Sequence, residues 1–196
     1  MNFSAVILAG GQSSRMGRDK AVLELAGEPL LARQIKLMQA TGASEVFISG
    51  RTGRDYTKFG CPALIDNFPQ AGPLAGIESA LQKCRNPLLL VLAVDMPQMP
   101  IAMLEELIKQ SDGRNGIIPR LAGHTEPLAA LYPSIAAPLA TELLLSAQAS
   151  ATAGSPGVGI FAARCVQEGW ARYHDLPADV AACFKSWNAS QDITSL

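Results

Sequence analysis

Apolar runs of strand length alternate with segments of helical periodicity along most of the chain. The apolar runs predict β-strands over residues 3–9, 46–49, 63–65, 88–94, 115–119 and 128–132. Apolar residues at helical spacing predict helices over residues 76–83, 135–147 and 160–168, a helix opened by Pro29 and ended by Gly42, and a helix opened by Pro100. Weaker patterns predict a loop over residues 150–159, a strand near Tyr173 and a short final helix.

The seven apolar residues at 88–94, LLLVLAV, give the strongest strand signal. A run without polar positions is typical of a central parallel strand that helices cover on both faces. Alternating strands and helices therefore predict an α/β fold of three layers, α/β/α, with a Rossmann-like, mostly parallel sheet. Ligands of such sheets bind beyond the carboxyl ends of the strands. We accordingly look for a site in the loop after the first strand and at Asp95, which follows the strongest strand.

Composition indicates a globular protein with a sizeable core, because 48% of its 196 residues are hydrophobic and only 17% are charged. We expect a single domain over residues 1–196. A net charge of −1 does not favour general binding to nucleic acid or to a membrane surface. The apolar run at 5–9 is too short for a signal peptide, and no run approaches the ~20 residues of a membrane span. We therefore expect a soluble, cytoplasmic protein.

The four cysteines are widely and irregularly spaced and form no C-x-x-C pair. This pattern favours free or buried thiols in a reducing compartment over disulfides or a zinc site.

The loop after the first strand combines glycines with cations. Glycines at positions 10, 11 and 17 let backbone N–H groups approach an anion, and Arg15 and Lys20 add positive charge within the same segment. The segment is neither a Walker A loop, because Lys20 is followed by Ala21, nor a G-x-G-x-x-G fingerprint. Phosphate binding is the hypothesis, and an ordinary glycine turn with solvated charges is the alternative.

Two aspartates follow predicted strands. Asp95 lies at the tip of the strongest strand, where a carboxylate can hold a hard cation such as Mg²⁺ or cap a following helix. Asp66 precedes Asn67 after the third strand, and an Asp-Asn pair in that position is also ordinary turn chemistry.

The segment 8–31, LAGGQSSRMGRDKAVLELAGEPLL, resembles the signature of the molybdenum cofactor guanylyltransferases within the wider nucleotidyltransferase family. The family pattern is roughly L-A-G-G, three variable residues, R-M-G, a short spacer, a lysine and then G-x-P-L. The resemblance implies a nucleotidyltransferase fold of the glycosyltransferase A-like type. It also implies Mg²⁺-dependent transfer of GMP from GTP to molybdopterin or the molybdenum cofactor, with residues 1–100 binding the nucleotide and residues 101–196 the acceptor.

The same resemblance implies roles for particular residues. Arg15, Lys20 and Asp95 would act in catalysis, with Asp95 as the ligand of Mg²⁺. The nucleotide would be bound by Leu8, Ala9, Gly10, Gly11, Lys20, Ser49, Asp66 and Asp95. Ser49 stands where relatives often have asparagine, and the G-P-L-A-G segment at 72–76 would open a helix toward the site.

The acceptor side matches the family less well. The segment 124–128 resembles the stretch that borders the acceptor in relatives, so that His124 is a weaker candidate for contact. Arg120 is a second weaker candidate. Relatives end close to F-x-N-x-N-T-P-E-D, whereas here Phe184, Asn188 and Asp192 match and the residues between them differ. Trp170 and Trp187 could stack on a pterin, although packing is the simpler role for both.

Several functions remain open at this point. The alternatives are cytidylyl transfer to the same cofactor, a sugar- or lipid-precursor nucleotidyltransferase, and a non-catalytic nucleotide-binding relative. The L-A-G-G and G-P-L-A-G segments favour the guanylyl enzyme, because cytidylyl relatives usually carry L-A-A-G. The resemblance also implies protein partners that deliver the cofactor and molybdoenzymes that receive it, with no role for nucleic acid or membrane.

Overall fold

The computed structural model describes residues 1–10, 20–51, 53–149 and 157–187. A sheet of eight strands lies between two layers of helices, as the sequence predicted, and a separate two-stranded hairpin follows the glycine loop. The strands are β1 (Ser4–Leu8), β2 (Glu24–Leu25), β3 (Glu28–Pro29), β4 (Glu45–Ser49), β5 (Ala63–Leu64), β6 (Leu88–Ala93), β7 (Gly116–Leu121), β8 (His124–Thr125), β9 (Ala129–Pro133) and β10 (Ala171–Leu176). The helices are α1 (Leu30–Ala40), α2 (Pro73–Lys83), α3 (Ile101–Gln110), α4 (Ala137–Ala149) and α5 (Val158–Gln167).

The main sheet has the order β10-β7-β9-β6-β1-β4-β5, with β8 paired to β7. Strands β5, β4, β1 and β6 are parallel neighbours, and β7 and β10 run in the same direction. Strand β9 is antiparallel to both β6 and β7. The seven residues 122–128 that lead from β7 to β9 are too few for a parallel crossover, which needs a dozen or more.

Two hydrophobic cores lie on the two faces of the sheet. Ile7 and Leu90 face α1 and α3, whereas their neighbours Val6 and Val91 face α2, α4 and α5. Every residue of β6 is buried, which explains why its sequence has no polar position. Because helices cover both faces of the sheet, the ends of its strands are where polar side chains remain accessible.

Most predicted elements are confirmed, with shifted bounds. Helix α2 begins at Pro73, three residues before the periodic segment, and α5 begins at Val158, inside the predicted loop. A 3-10 turn over Ser134–Ala136 precedes α4, and the final helix is a 3-10 helix over Ala178–Phe184. Strands β2, β3 and β8 were not predicted, because each has only two residues and none is an apolar run.

Within the described parts of the chain, no helix has the length and apolar composition to cross a membrane.

Candidate nucleotide site

Four neighbouring parallel strands bring the predicted nucleotide-binding residues to one edge of the sheet. Leu8 ends β1 and Ser49 ends β4, in register with each other. Asp66 lies two residues after the end of β5, and Asp95 lies two residues after the end of β6. The carboxyl ends of parallel strands are where such folds bind ligands. Leu8, Ser49, Asp66 and Asp95 therefore lie at the same end of these four strands.

The end of β1 is held on both sides by backbone hydrogen bonds. The Ala9 N–H donates to the Ser49 carbonyl over 2.7 Å, and the Val94 N–H donates to the Leu8 carbonyl over 3.1 Å. Gly10 then passes close to Gly50, since a Cβ on Gly10 would lie 3.3 Å from the Gly50 carbonyl oxygen. The chain thus enters the glycine loop from a fixed point beside β4.

Ser49 links β4 to Asp66 and α2. Its hydroxyl donates to Asp66 Oδ1 over 3.3 Å, and its side chain is buried. A Cβ on Gly76 would lie 2.1 Å from Ser49 Oγ, so only glycine at that helix position leaves room for this side chain. The G-P-L-A-G segment therefore does face the site, through its second glycine.

A cavity of about 230 Å³ adjoins Asp66. Gly50, Arg51, Arg54 and Tyr56 are among the residues that line it. The Tyr56 hydroxyl accepts a hydrogen bond of 3.0 Å from the Arg51 N–H, and its ring closely covers Gly50. The side chains of Arg51, Arg54 and Tyr56 were not predicted to lie at the site, because the segment 51–56 carries no motif and no periodicity.

Burial raises the pKa of Asp66 above its ordinary value, and the negative charge of Glu78 raises it further. The hydrogen bond from Ser49 acts in the opposite direction. Arg51 and Arg54 supply positive charge to the same cavity. Asp66 is therefore an acceptor in a partly desolvated position, where a hydrogen bond to a ligand gains strength.

Asp95 sits on a segment that is tied to two distant parts of the chain. Its carbonyl accepts a 2.8 Å hydrogen bond from the Trp187 N–H, and the buried Gln34 of α1 donates over 2.8 Å to the next carbonyl, that of Met96. The Asp95 side chain is partly exposed. No cluster of three metal-binding side chains occurs among the described residues. One carboxylate at the sheet edge fits Mg²⁺, which prefers oxygen ligands and binds largely through substrate phosphates and water.

Part of the predicted phosphate site lies outside the described residues. Gly11 and Arg15 belong to the segment 11–19, and Asn188 and Asp192 lie beyond residue 187. The backbone of Lys20 begins a 3-10 helix over Lys20–Val22 that leads through the β2–β3 hairpin into α1. The roles of Arg15, Gly11 and the Lys20 side chain remain predictions.

On the acceptor side, the two weaker candidates, Arg120 and His124, have different surroundings. Arg120 is engaged, with Nε and Nη2 donating to the Asp175 carboxylate over 2.6 and 2.8 Å and the guanidinium 4.8 Å from the centre of the Tyr173 ring. His124 is exposed at the start of β8. Nearby, burial raises the pKa of Glu126, while the charge of His124 lowers it. Trp187 is buried, which favours packing over stacking on a ligand.

Comparison with known proteins identifies the family of this chain. Residues 5–155 match the MobA-like NTP transferase domain. The chain is 34% identical over 192 residues to a protein of Opitutus terrae named "Probable molybdenum cofactor guanylyltransferase", with 96% of this chain and 92% of that protein covered. It is 38% identical over 138 residues to the molybdenum cofactor guanylyltransferase of Pseudomonas aeruginosa, with 67% of this chain and 68% of that one covered.

A solved structure shares the fold. The molybdopterin-guanine dinucleotide biosynthesis protein A of Archaeoglobus fulgidus superposes with a TM-score of 0.73 at 21% identity, covering 97% of this chain and 94% of the other. Because the family match spans the strands that carry Leu8, Ser49, Asp66 and Asp95, the chain belongs to the MobA-like NTP transferase family.

Proposed function

We propose that this protein transfers GMP from GTP to the terminal phosphate of molybdopterin or the molybdenum cofactor, forming the guanine dinucleotide cofactor and pyrophosphate. The observation that carries the proposal is the convergence of Gly10, Ser49, Asp66 and Asp95 at the ends of four adjacent parallel strands. The names of the relatives supply the nucleotide and the acceptor.

The reaction is an in-line displacement at the α-phosphorus of GTP. A terminal phosphate oxygen of the acceptor forms the new P–O bond, and the bond between the α-phosphorus and the bridging oxygen breaks as pyrophosphate leaves. Such chemistry depends on positioning and on electrostatic stabilisation more than on a protein nucleophile.

Charged residues would bind the triphosphate. Arg15 and Lys20 would hold phosphate oxygens and stabilise the charge that develops during transfer. Asp95 would hold Mg²⁺, which supplies charge neutralisation at the phosphates when bound. The ties from Trp187 and Gln34 fix the backbone on which the Asp95 carboxylate is carried.

The nucleoside would lie along the strand ends. The backbone over Leu8–Gly11 would contact the nucleotide, Asp66 would offer a carboxylate acceptor, and the Ser49 hydroxyl orients that carboxylate. The cavity beside Asp66 would receive part of the nucleoside. The acceptor would occupy the part of the edge formed by residues 101–196.

The cytoplasm is the compartment in which we place the reaction. The four cysteines are free thiols, as the sequence predicted, which is usual for a reducing compartment. Proteins that deliver the cofactor and molybdoenzymes that receive it would be the partners, because a labile cofactor is handed over more safely than released.

The test is pyrophosphate release by the purified protein with Mg²⁺, molybdopterin or its molybdenum form, and either GTP or CTP. We expect release with GTP only. Lys20→Ala and Asp95→Asn should each lower kcat by on the order of 10²–10³ without unfolding the protein. The first removes a cation from the phosphates, and the second removes the carboxylate charge that would hold Mg²⁺.

Exposed residues of the same types provide matched controls. Lys83→Ala, at the end of α2, and Asp179→Asn, near the C-terminus, should leave the rate unchanged. Release with CTP would keep the mechanism and change the nucleotide. Near-normal rates in Lys20→Ala would refute the phosphate assignment, and silence with both nucleotides would refute the transfer.

A further inference from the structure

Glu78 is a carboxylate buried inside the helix that backs the candidate site. It lies in α2, with only 2% of its surface exposed. A buried carboxylate is costly unless hydrogen bonds compensate for the lost hydration. The nucleotide chemistry proposed above does not use this residue, so its burial needs another explanation.

The hydrogen bonds to Glu78 come from neutral side chains on two other segments. Asn67 Nδ2 donates to Oε2 over 3.0 Å, and the Thr141 hydroxyl of α4 donates to Oε1 over 2.9 Å. The Ser79 hydroxyl lies 3.5 Å from Oε2. Glu78 therefore ties the loop after β5 to α2 and α4.

Asn67 is held at two points, and it directly follows Asp66. Its backbone N–H donates to Ser79 Oγ over 3.2 Å, in addition to the side-chain bond to Glu78. Asp66 accepts the hydrogen bond from Ser49 on the opposite side. The Asp66–Asn67 pair is thus fixed between β4 and α2, and Asp66 lines the adjoining cavity.

We propose that Glu78 is a positioning residue, which acts through Asn67 to hold the Asp66 carboxylate where it binds the nucleotide. This inference rests on the proposed function and deepens it, since it assigns nucleotide affinity to a buried contact outside the strand-end residues. Loss of Glu78 should weaken binding of the nucleotide while leaving the phosphate chemistry intact, and so raise KM for GTP more than it lowers kcat.

Glutamine can replace the shape of Glu78 without its charge. Its amide oxygen can accept from Asn67, and its NH₂ can donate to Thr141 Oγ1, whose hydroxyl can turn to the Ala137 carbonyl 3.2 Å away. Alanine removes the acceptor of Asn67 Nδ2 and leaves the Thr141 hydroxyl with the Ala137 carbonyl alone. Glu78→Gln should therefore preserve GTP affinity if position is what matters, whereas Glu78→Ala should not.

The experiment compares the wild-type protein with Glu78→Ala, Glu78→Gln, Asn67→Ala and the double variant Glu78→Ala/Asn67→Ala. GTP affinity is measured by calorimetry, and KM and kcat by pyrophosphate release. We expect Glu78→Ala and Asn67→Ala each to weaken GTP binding roughly 5–50-fold, about the range for loss of a hydrogen bond to a carboxylate, with kcat within about twofold of wild type. The double variant should bind GTP no more weakly than the single variant with the lower GTP affinity, because both substitutions act through one contact.

Glu142→Ala is the matched control, since it removes an exposed glutamate of α4 next to Thr141 and should change neither constant. Asn67→Ala keeps the test valid if Glu78→Ala fails to fold, because Asn67 lies at the surface. Unchanged GTP affinity in Asn67→Ala or Glu78→Ala would overturn the proposal, as would additive losses in the double variant. A wild-type protein that binds GTP without transferring GMP would refute the proposed function alone, and the calorimetry would still decide the role of Glu78.

Discussion

Glu45 lies at the amino ends of the parallel strands and Asp66 at their carboxyl ends. Their surroundings shift the pKa values of these two carboxylates in opposite directions. Glu45 begins β4, where hydrogen bonds from the Arg85 N–H and the Ser4 hydroxyl lower its pKa. Asp66 follows β5 at the other edge, where burial raises its pKa. A group whose charged form is stabilised by folding strengthens the fold, and one whose charged form is penalised weakens it.

Asp66→Asn is expected to stabilise the protein at pH 7 and to weaken GTP binding. In the folded state Asp66 binds protons up to a higher pH than its ordinary value of 3.8, so stability falls as the pH rises through that interval. Asparagine does not ionise, and its advantage in urea unfolding should shrink as the pH is lowered toward 3.8. GTP affinity should fall roughly 10–100-fold, as for loss of a charged hydrogen-bond acceptor. Lower stability than wild type at pH 7 would contradict this account.

Glu45→Gln is the control of opposite sign. The pKa of Glu45 lies below its ordinary value of 4.5, so its contribution is present above that pH and is lost as the pH falls through the lowered value. The variant should lose about 1 kcal/mol at pH 7 and should approach wild type in acid. KM for GTP should not change, because Glu45 lies at the amino ends of the strands.

At the scale of elements, the close fit of α2 against β4 determines where Ser49 lies. Gly76→Ala would place a methyl group 2.1 Å from Ser49 Oγ and 2.8 Å from Ser49 Cβ, and the side chain that orients Asp66 would have to move. We expect a loss of about 1–3 kcal/mol in stability, typical of overpacking, together with a higher KM for GTP. Thermal unfolding and initial rates measure the two effects.

Gly159→Ala, in α5, is the matched helical control, because nothing lies within 4 Å of the added Cβ. It should be neutral or slightly stabilising. If Gly76→Ala behaves like Gly159→Ala in both measurements, the fit between α2 and Ser49 has no functional consequence.

Elements with a long periodic signal could be predicted from sequence, and those defined by pairing could not. The run at 88–94 predicts β6 because a doubly covered strand excludes polar residues. Nothing in its sequence marks β9 as antiparallel, since side-chain alternation is the same in both directions and the direction follows from the short connection. Likewise, the strand-end rule locates Asp66 and Asp95, whereas the contact of Glu78 with Asn67 joins residues whose pairing no local pattern encodes.

At the scale of the whole molecule, the C-terminal segment reaches back to the centre of the sheet. Trp187 is buried, and its N–H donates to the Asp95 carbonyl over 2.8 Å. Trp170 precedes β10 at the amino edge, beside the start of β7 at Gly116. The two tryptophans thus lie at opposite ends of the strands, and Trp187 is the one that adjoins the proposed site.

This arrangement predicts that tryptophan fluorescence will change when GTP and Mg²⁺ bind, and that Trp187 will be the source of the change. Trp170→Phe should retain the full change, whereas Trp187→Phe should lose it while keeping an aromatic side chain in the buried position. Because the contact with Asp95 is made by the backbone N–H, Trp187→Phe should transfer GMP at a rate within a few-fold of wild type. A fluorescence change that persists in Trp187→Phe and disappears in Trp170→Phe would mean that nucleotide binding alters the surroundings of Trp170, at the amino ends of the strands, instead. The C-terminal segment would then hold Asp95 in place without responding to the ligand beside it.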